Sequence, residues 1–370
     1  MKKIILSVAV ATMALSTSAM AIDNVKANGL AKLIYQTHDT SDNTKSFGNA
    51  MTQDGTGANS QGQASVIMGL SADLSTNLKG AVEVTGVSTL GLENGLVGDT
   101  IAATNLVGTY ATDPAATKLE DQFWISQAYF TYSMGKTTAK IGMQELNTPF
   151  VFTEKWNVSK NTFQAMVLVN NDIENVTLVG AYVGKHNGST DQRTTNFDGV
   201  FQTFGASGAY AAGAIAKVQG VNLQAWGFNV NSVANTYWLE ADTKVAGIFI
   251  GGQYAGYNPE ATGAKSTNAY AVKAAGNVAG ATLYAAYSAV DDGTGNTNYA
   301  NVSTGDKTKL YTGTASIYGD GGRAAQEDTK SWKVGAKGKV AGFGLGAAYS
   351  NYEMKGNGTA SAAKDITLGS

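Results

Sequence analysis

Apolar and polar side chains alternate along most of this chain. The clearest unit is Asn277–Val290: a tight-turn pair, Ala279-Gly280, precedes a run in which Leu283, Ala285 and Tyr287 share one face, with Thr282, Tyr284 and Ser288 on the other. Successive side chains of a strand point to opposite faces, so this run predicts a strand with one apolar and one more polar face. The phrase recurs: Ala246-Gly247 leads to Ile250 and Tyr254, and Ala341-Gly342 to Leu345 and Tyr349. Weaker copies follow Gln219-Gly220 and Asn175. Each clear copy places an aliphatic three residues and a Tyr seven residues after the turn Gly. A strand also runs into each turn, so the repeat is a β-hairpin. The turn residues Gly220, Gly247, Gly280 and Gly342 are 27, 33 and 62 residues apart. A solenoid keeps a fixed coil period; here the strands are constant and the connections vary.

Taken in order, the pattern predicts about fifteen strands of roughly ten residues, the length of a tilted membrane strand. Val25–Thr37 opens the series, with Val25, Ala31, Leu33 and Tyr35 against Lys26, Asn28, Lys32 and Gln36. Further strands centre on Val66, Val82 and Phe130, the last with Trp124, Ala128 and Tyr132 on its apolar face. Short turns are expected at Ser75-Thr76-Asn77, Met134-Gly135-Lys136, Asn170–Asn175 and the Gly pairs above. Longer polar connections are expected at 38–62, 86–122, Asn147–Lys160, Gly184–Thr203, Asn231–Asn235, Asn258–Thr267 and Asp291–Lys330. Tight turns at one end and long loops at the other are what a transmembrane barrel requires. In lipid every backbone polar group must be paired, so a spanning sheet closes on itself. The fold class read from the pattern is all-β, an antiparallel transmembrane β-barrel. Tyr254, Tyr287 and Tyr349 suit an aromatic girdle.

Composition narrows the classes. Residues 1–21 read as a signal peptide, with Lys2 and Lys3, an apolar Ile4–Leu15 and a small-x-small end at Ala19-Met20-Ala21; residues 22–370 form the barrel. No later run is apolar and long enough to span a bilayer as a helix. Net charge is −2 over the whole chain, which gives no basic footprint for nucleic acid. There is no cysteine, which excludes disulfides, thiolate metal sites and a Cys nucleophile. His38 and His186, the only histidines, fall in expected loops without zinc spacing or a hydrolase partner motif. Enzyme activity, cofactor and metal are therefore not expected. The destination is the bacterial outer membrane, and the partners are its lipid, small hydrophilic solutes and ions.

One segment carries a family resemblance. Gln127-Ala128-Tyr129-Phe130-Thr131-Tyr132, a short turn, then Lys140-Ile141-Gly142-Met143-Gln144-Glu145-Leu146-Asn147-Thr148-Pro149-Phe150 resembles OprD-like porins, especially their major-outer-membrane-protein branch. There a strand ending in a G-R/K-Q-x-L phrase leads into a loop that folds into the pore; Met143-Gln144 stand here where a basic residue and Gln are frequent. Val169–Val183 is similar to the same branch. The resemblance implies a 16- or 18-stranded homotrimeric porin with weak cation preference. Such barrels have an even strand number and commonly end in an aromatic residue. This chain ends Ala363–Ser370, which reads as the opening of a strand cut short, so further strands are expected beyond it.

Alternation supplies candidate pore-wall residues: Lys26, Lys32, Lys79, Glu83, Lys140, Glu240, Asp242, Lys273, Lys333 and Lys337. The resemblance supplies a constriction in Asn147–Lys160 and its approach, with Glu145, Glu154 and Lys155; Glu154 is expected to face the basic wall across a narrow aqueous gap. The function so read is passive diffusion through a constricted, water-filled lumen. The alternative is a surface adhesin or structural barrel whose long loops bind a partner.

Overall fold

The computed structural model describes residues 22–37, 60–92, 106–107, 118–119, 121–188, 200–294, 298–314, 320–354 and 361–369. The signal segment 1–21 and His38 lie outside the described residues. Sixteen strands of eight to fifteen residues form one sheet: β1 (Asp23–Thr37), β2 (Ser60–Asp73), β3 (Leu78–Ser88), β4 (Gln122–Met134), β5 (Thr137–Gln144), β6 (Phe163–Asn170), β7 (Val176–His186), β8 (Ala209–Val218), β9 (Val221–Val230), β10 (Ala234–Val245), β11 (Ile248–Pro259), β12 (Thr267–Val278), β13 (Ala281–Val290), β14 (Thr329–Val340), β15 (Phe343–Met354) and β16 (Ser361–Gly369). Each strand pairs antiparallel with the next in sequence. Among the described residues β1 pairs only with β2 and β16 only with β15. The sequence count of about fifteen is one short; Ala363–Gly369 belongs to β16.

The hairpin turns explain the register. Gln219-Gly220, Ala246-Gly247, Ala279-Gly280 and Ala341-Gly342 all have positive φ at both positions, between 49° and 86°. That is the requirement of a type I′ turn, whose twist matches the flanking strands. Glycine adopts this conformation freely, whereas Ala246, Ala279 and Ala341 crowd Cβ against a carbonyl. Asn tolerates the left-handed region, so Ala246→Asn, Ala279→Asn and Ala341→Asn are each expected to stabilise the barrel by ~0.5–1 kcal/mol. Urea titration in vesicles measures this; no gain at any of the three sites would contradict it.

The faces follow the alternation. Ile250, Leu283 and Leu345 are 51%, 45% and 48% exposed on the outer surface. Outward ring pairs mark a band near the long-loop end: Tyr182–Tyr210, Tyr237–Tyr254, Tyr270–Tyr287 and Trp332–Tyr349, with centroids 5.1–6.4 Å apart. This is the aromatic girdle of a membrane barrel.

Three expectations fail locally. Register shifts between Glu83 and Val84, so that Gln127 opposes Glu83 while Ile125 opposes Val84. The β-bulge resets the alternation: Phe123 and Ile125 join Phe130 and Tyr132 outside, and Trp124 leaves the outer face it was assigned. Residues 231–233 make a tight turn rather than a longer loop. His186 ends β7, opposite Phe163, instead of lying in a loop.

Candidate functional site

The lumen is organised by two connections that fold inside the sheet. The first, residues 145–162, joins β5 to β6. It is launched by Gly142, whose φ of 125° and close packing exclude a side chain: a Cβ there would lie 2.2 Å from the Ala128 carbonyl oxygen. At one wall, Lys32 of β1 donates Nζ to the carbonyls of Lys155 (3.0 Å) and Asn157 (2.8 Å), and Ser65 of β2 donates to that of Val158 (2.7 Å). At another wall, Phe150 packs edge-on against Phe228 of β9 and Trp238 of β10, centroids 5.3 and 5.5 Å away. One connection thus touches strands eight and nine positions apart, which requires the sheet to curl around it.

The second connection, between β13 and β14, is described at 298–314. Tyr299 lies against Phe150 at 6.1 Å and donates its hydroxyl to the Thr267 carbonyl at 2.7 Å. Farther along, the Tyr311 hydroxyl donates to Glu240 Oε1 at 3.0 Å, and Gln253 Nε2 donates to the Lys309 carbonyl at 3.0 Å. Burial raises the Tyr311 phenol above its usual range, and the Glu240 charge adds to the shift. The segment Asp291–Lys330, expected as one of the longer polar connections, is at its middle a lumen element.

A charge cluster seats the first connection. Lys160 Nζ lies 2.8 Å from Glu83 Oε2 and 2.5 Å from Glu145 Oε1, and Lys155 Nζ lies 2.5 Å from Glu145 Oε2. The bulge in β4 explains why Glu83 is so well held: Ser126 Oγ (2.6 Å) and Gln127 Nε2 (3.0 Å) both donate to it. Burial alone would raise the Glu145 carboxyl, but hydrogen bonds from Lys155 and Lys160 outweigh it and hold the group below its ordinary value. Burial would likewise lower Lys160, and the two carboxylates outweigh that and raise it. Beside these groups lies a cavity of about 510 Å³, lined in part by Lys32, Gln127 and Lys155.

The remaining wall residues fall at graded depths. Lys140 stands over the Tyr129 ring at 3.7 Å, and Lys273 near Phe249, Tyr284 and Tyr311 at 5.6–5.7 Å. Lys333 donates to the Gly313 carbonyl at 2.7 Å, and Lys337 shares its face by alternation. Glu240 accepts from Gln224, Trp238 and Gln253 as well as Tyr311. Lys79 pairs with Asp73 at 3.1 Å near a short turn, Asp242 accepts from Asn222 at 2.8 Å, and Lys26 opposes Ser71 near the start of β1.

Glu154 is placed differently from expectation. It is 6% exposed and faces no open gap. It accepts from Trp156 Nε1 (2.6 Å), Asn301 Nδ2 (2.9 Å) and Thr304 Oγ1 (2.5 Å). The reason is physical: the second connection lies over it and supplies neutral donors where water was assumed. Asp306, close by, has its carboxyl raised to about 6, chiefly by burial and then by the Glu154 charge. Lys160, Asn301, Thr304 and Tyr311 were missed as site residues. The length of 291–330 was the available signal, since long connections in a compact unit are usually functional.

No protein-family model and no curated protein matches the sequence. Solved structures do. The chain superposes on Pseudomonas aeruginosa OpdK with vanillate at a TM-score of 0.67 and 10% identity, covering 93% of this chain and 88% of that one. Acinetobacter baumannii OccAB1 gives 0.68 at 14% identity, covering 95% and 87%. Pseudomonas aeruginosa OccK2 (OpdF) in complex with glucuronate gives 0.62 at 13%, covering 90% and 83%. These are OprD-family outer-membrane channels. At such identities the likeness establishes the fold, a β-barrel porin fold, and it is the fold that the OprD-like resemblance implied.

Proposed function

We propose that this chain is an outer-membrane channel for passive diffusion of small hydrophilic solutes and ions, narrowed by residues 145–162 and 298–314. The observation that carries the reading is the bridging of separate walls by connections inside a lipid-facing barrel, beside a charged cavity. An adhesin would need neither an in-folded connection nor a polar lumen.

The sign of the selectivity turns on which charges are neutralised. The family resemblance implies a weak cation preference; the charges in the lumen point the other way. Glu154 is buried, Glu145 is matched by two lysines, and Glu83 shares one of them. Lys32 is met by carbonyl groups, and Lys140 and Lys273 by aromatic rings. Rings of charge set ion preference in pores, so the balance favours small anions, carboxylates among them. Two of the similar channels were solved with vanillate and glucuronate, and both molecules carry a carboxylate.

The test is the reversal potential across a planar bilayer in a salt gradient. Replacing Lys140, Lys273 and Lys337 together by Gln is expected to shift selectivity toward cations. At roughly 0.5 kcal/mol per screened lumen charge, the three amount to about a tenfold change in permeability ratio. An unchanged reversal potential would remove the Lys wall from selectivity, a cation-preferring wild type would restore the earlier sign, and a wild type that never conducts would favour the adhesin.

A further inference from the structure

We infer that Glu154 is a positioning residue that clasps the two in-folded connections into one strut across the lumen, so that residues 298–314 set the aperture together with 145–162. The inference rests on the channel reading and deepens it: one buried carboxylate, at the centre of an amide frame, holds the two connections to each other.

Three features carry it. The first is the donor set. Trp156 lies on Glu154's own connection and donates to Oε2, whereas Asn301 and Thr304 lie on the other and donate to Oε1. All three are neutral, and the carboxylate is the acceptor-only group they share, which makes the bonds charge-assisted. The second feature is a reciprocal amide frame. Asn301 also donates to the Phe152 carbonyl (2.8 Å), Val302 N–H donates to that of Phe150 (2.9 Å), and Asn161 donates to Ser303 Oγ (3.1 Å) while its Oδ1 accepts from Glu154 N–H (2.6 Å). The third is continuity to both walls. On one side Lys32 of β1 donates to the Lys155 and Asn157 carbonyls; on the other Tyr311 donates its hydroxyl to Glu240 of β10 and its backbone N–H to Gln253 Oε1 of β11. Strands nine and ten positions apart are thereby tied, with the Glu154 carboxylate at the middle of the amide frame that joins the two connections.

The chemistry makes Glu distinguishable from Gln. Glutamine keeps the shape, but its NH₂ cannot accept: turned toward Trp156 it strips the charge from the bonds to Asn301 and Thr304 and leaves the indole N–H unpaired, and turned the other way it loses both bonds to the second connection. Glu154→Gln is therefore expected to lose the single steady open level of the wild type, replaced by fluctuation to larger conductances. The barrel's own resistance to heat in detergent gels should not change, because no ladder bond involves Glu154. Trypsin is expected to cut the folded Glu154→Gln chain at Lys155 and Lys307 faster than it cuts the wild type. Rescue is available because the chain has no cysteine. In Glu154→Gln with Asn161→Cys and Ser303→Cys, a disulfide rejoins the connections, and the steady level should return under oxidation and vanish on reduction. Wild-type conductance, noise and trypsin resistance in Glu154→Gln would overturn the clasp while leaving the channel intact. A wild type that never conducts would overturn the channel reading, and the clasp as a pore element with it.

Discussion

Lys160→Met is expected to unseat residues 145–162 from the barrel wall at a cost of ~2–3 kcal/mol, somewhat below the ~3–5 kcal/mol that breaking a fully buried ion pair incurs. The Lys160 side chain is 10% exposed and bridges Glu83, 12% exposed, and Glu145, 27% exposed. Removing the shared cation leaves two carboxylates facing each other. Lumen water reaches Glu145 and moderates the cost. Lys155, 63% exposed, compensates little, since exposed pairs contribute at most about 1 kcal/mol. Adding Glu83→Gln removes one of the two opposed charges and should recover a large part of the loss. Urea unfolding in vesicles reads both variants; a double variant no better than Lys160→Met alone would show that the pair is not what seats the connection.

The pH dependence of this seat has a definite sign. Glu145 is depressed, so its contribution is present above the ordinary carboxylate value and fades as pH falls through the depressed one. Lys160 is raised, so its contribution is present below the ordinary lysine value and lost only as pH rises through the raised one. Both are fully present near neutrality, and the seat should weaken first at the acid end. Lys160→Met should flatten that acid limb.

What could be read from the chain divides along a physical line. The hairpins were legible because their determinants are local: a positive-φ pair such as Ala279-Gly280 fixes the turn, and a period of two fixes the face of Leu283. β16 was half legible: Ala363–Gly369 has the strand period, but its pairing with β15, Ile366 opposite Tyr349 and Asp365 opposite Ser350, is seen only in the structure. The bulge at Ser126–Gln127 was not legible, because nothing local announces the extra residue; the partner Glu83, which gains two donors from it, is distant in sequence. Glu154 shows the same limit more sharply. Beside Lys155 and Trp156 it reads as a constriction charge facing an aqueous gap, and only Asn301 and Thr304, about 150 residues away, turn it into a buried acceptor. Residues near Glu145 were found through the family-like phrase, while Lys160 was passed over as the end of a loop rather than the bridge between two carboxylates.

Val272→Arg should cost roughly 1–3 kcal/mol of barrel stability, the penalty for a basic side chain on the lipid face between the bilayer midplane, where it reaches ~2–4 kcal/mol, and the interface, where it falls to ~0–1. Val272 sits at the centre of β12, 55% exposed on the outer surface, paired with Gly252 on one side and Tyr287 on the other. Its successor Lys273 occupies the same strand at almost the same depth and already carries a charge, because its side chain turns inward beside Tyr284 and Tyr311. Lys273→Arg should therefore fold as the wild type does. The same guanidinium placed one residue apart separates the two faces with nothing else changed. Folding into vesicles, followed by gel mobility and urea titration, measures the difference. Equal stability of Val272→Arg and Lys273→Arg would mean that the outer surface of β12 does not meet lipid, and the transmembrane assignment of this half of the sheet would fall with it.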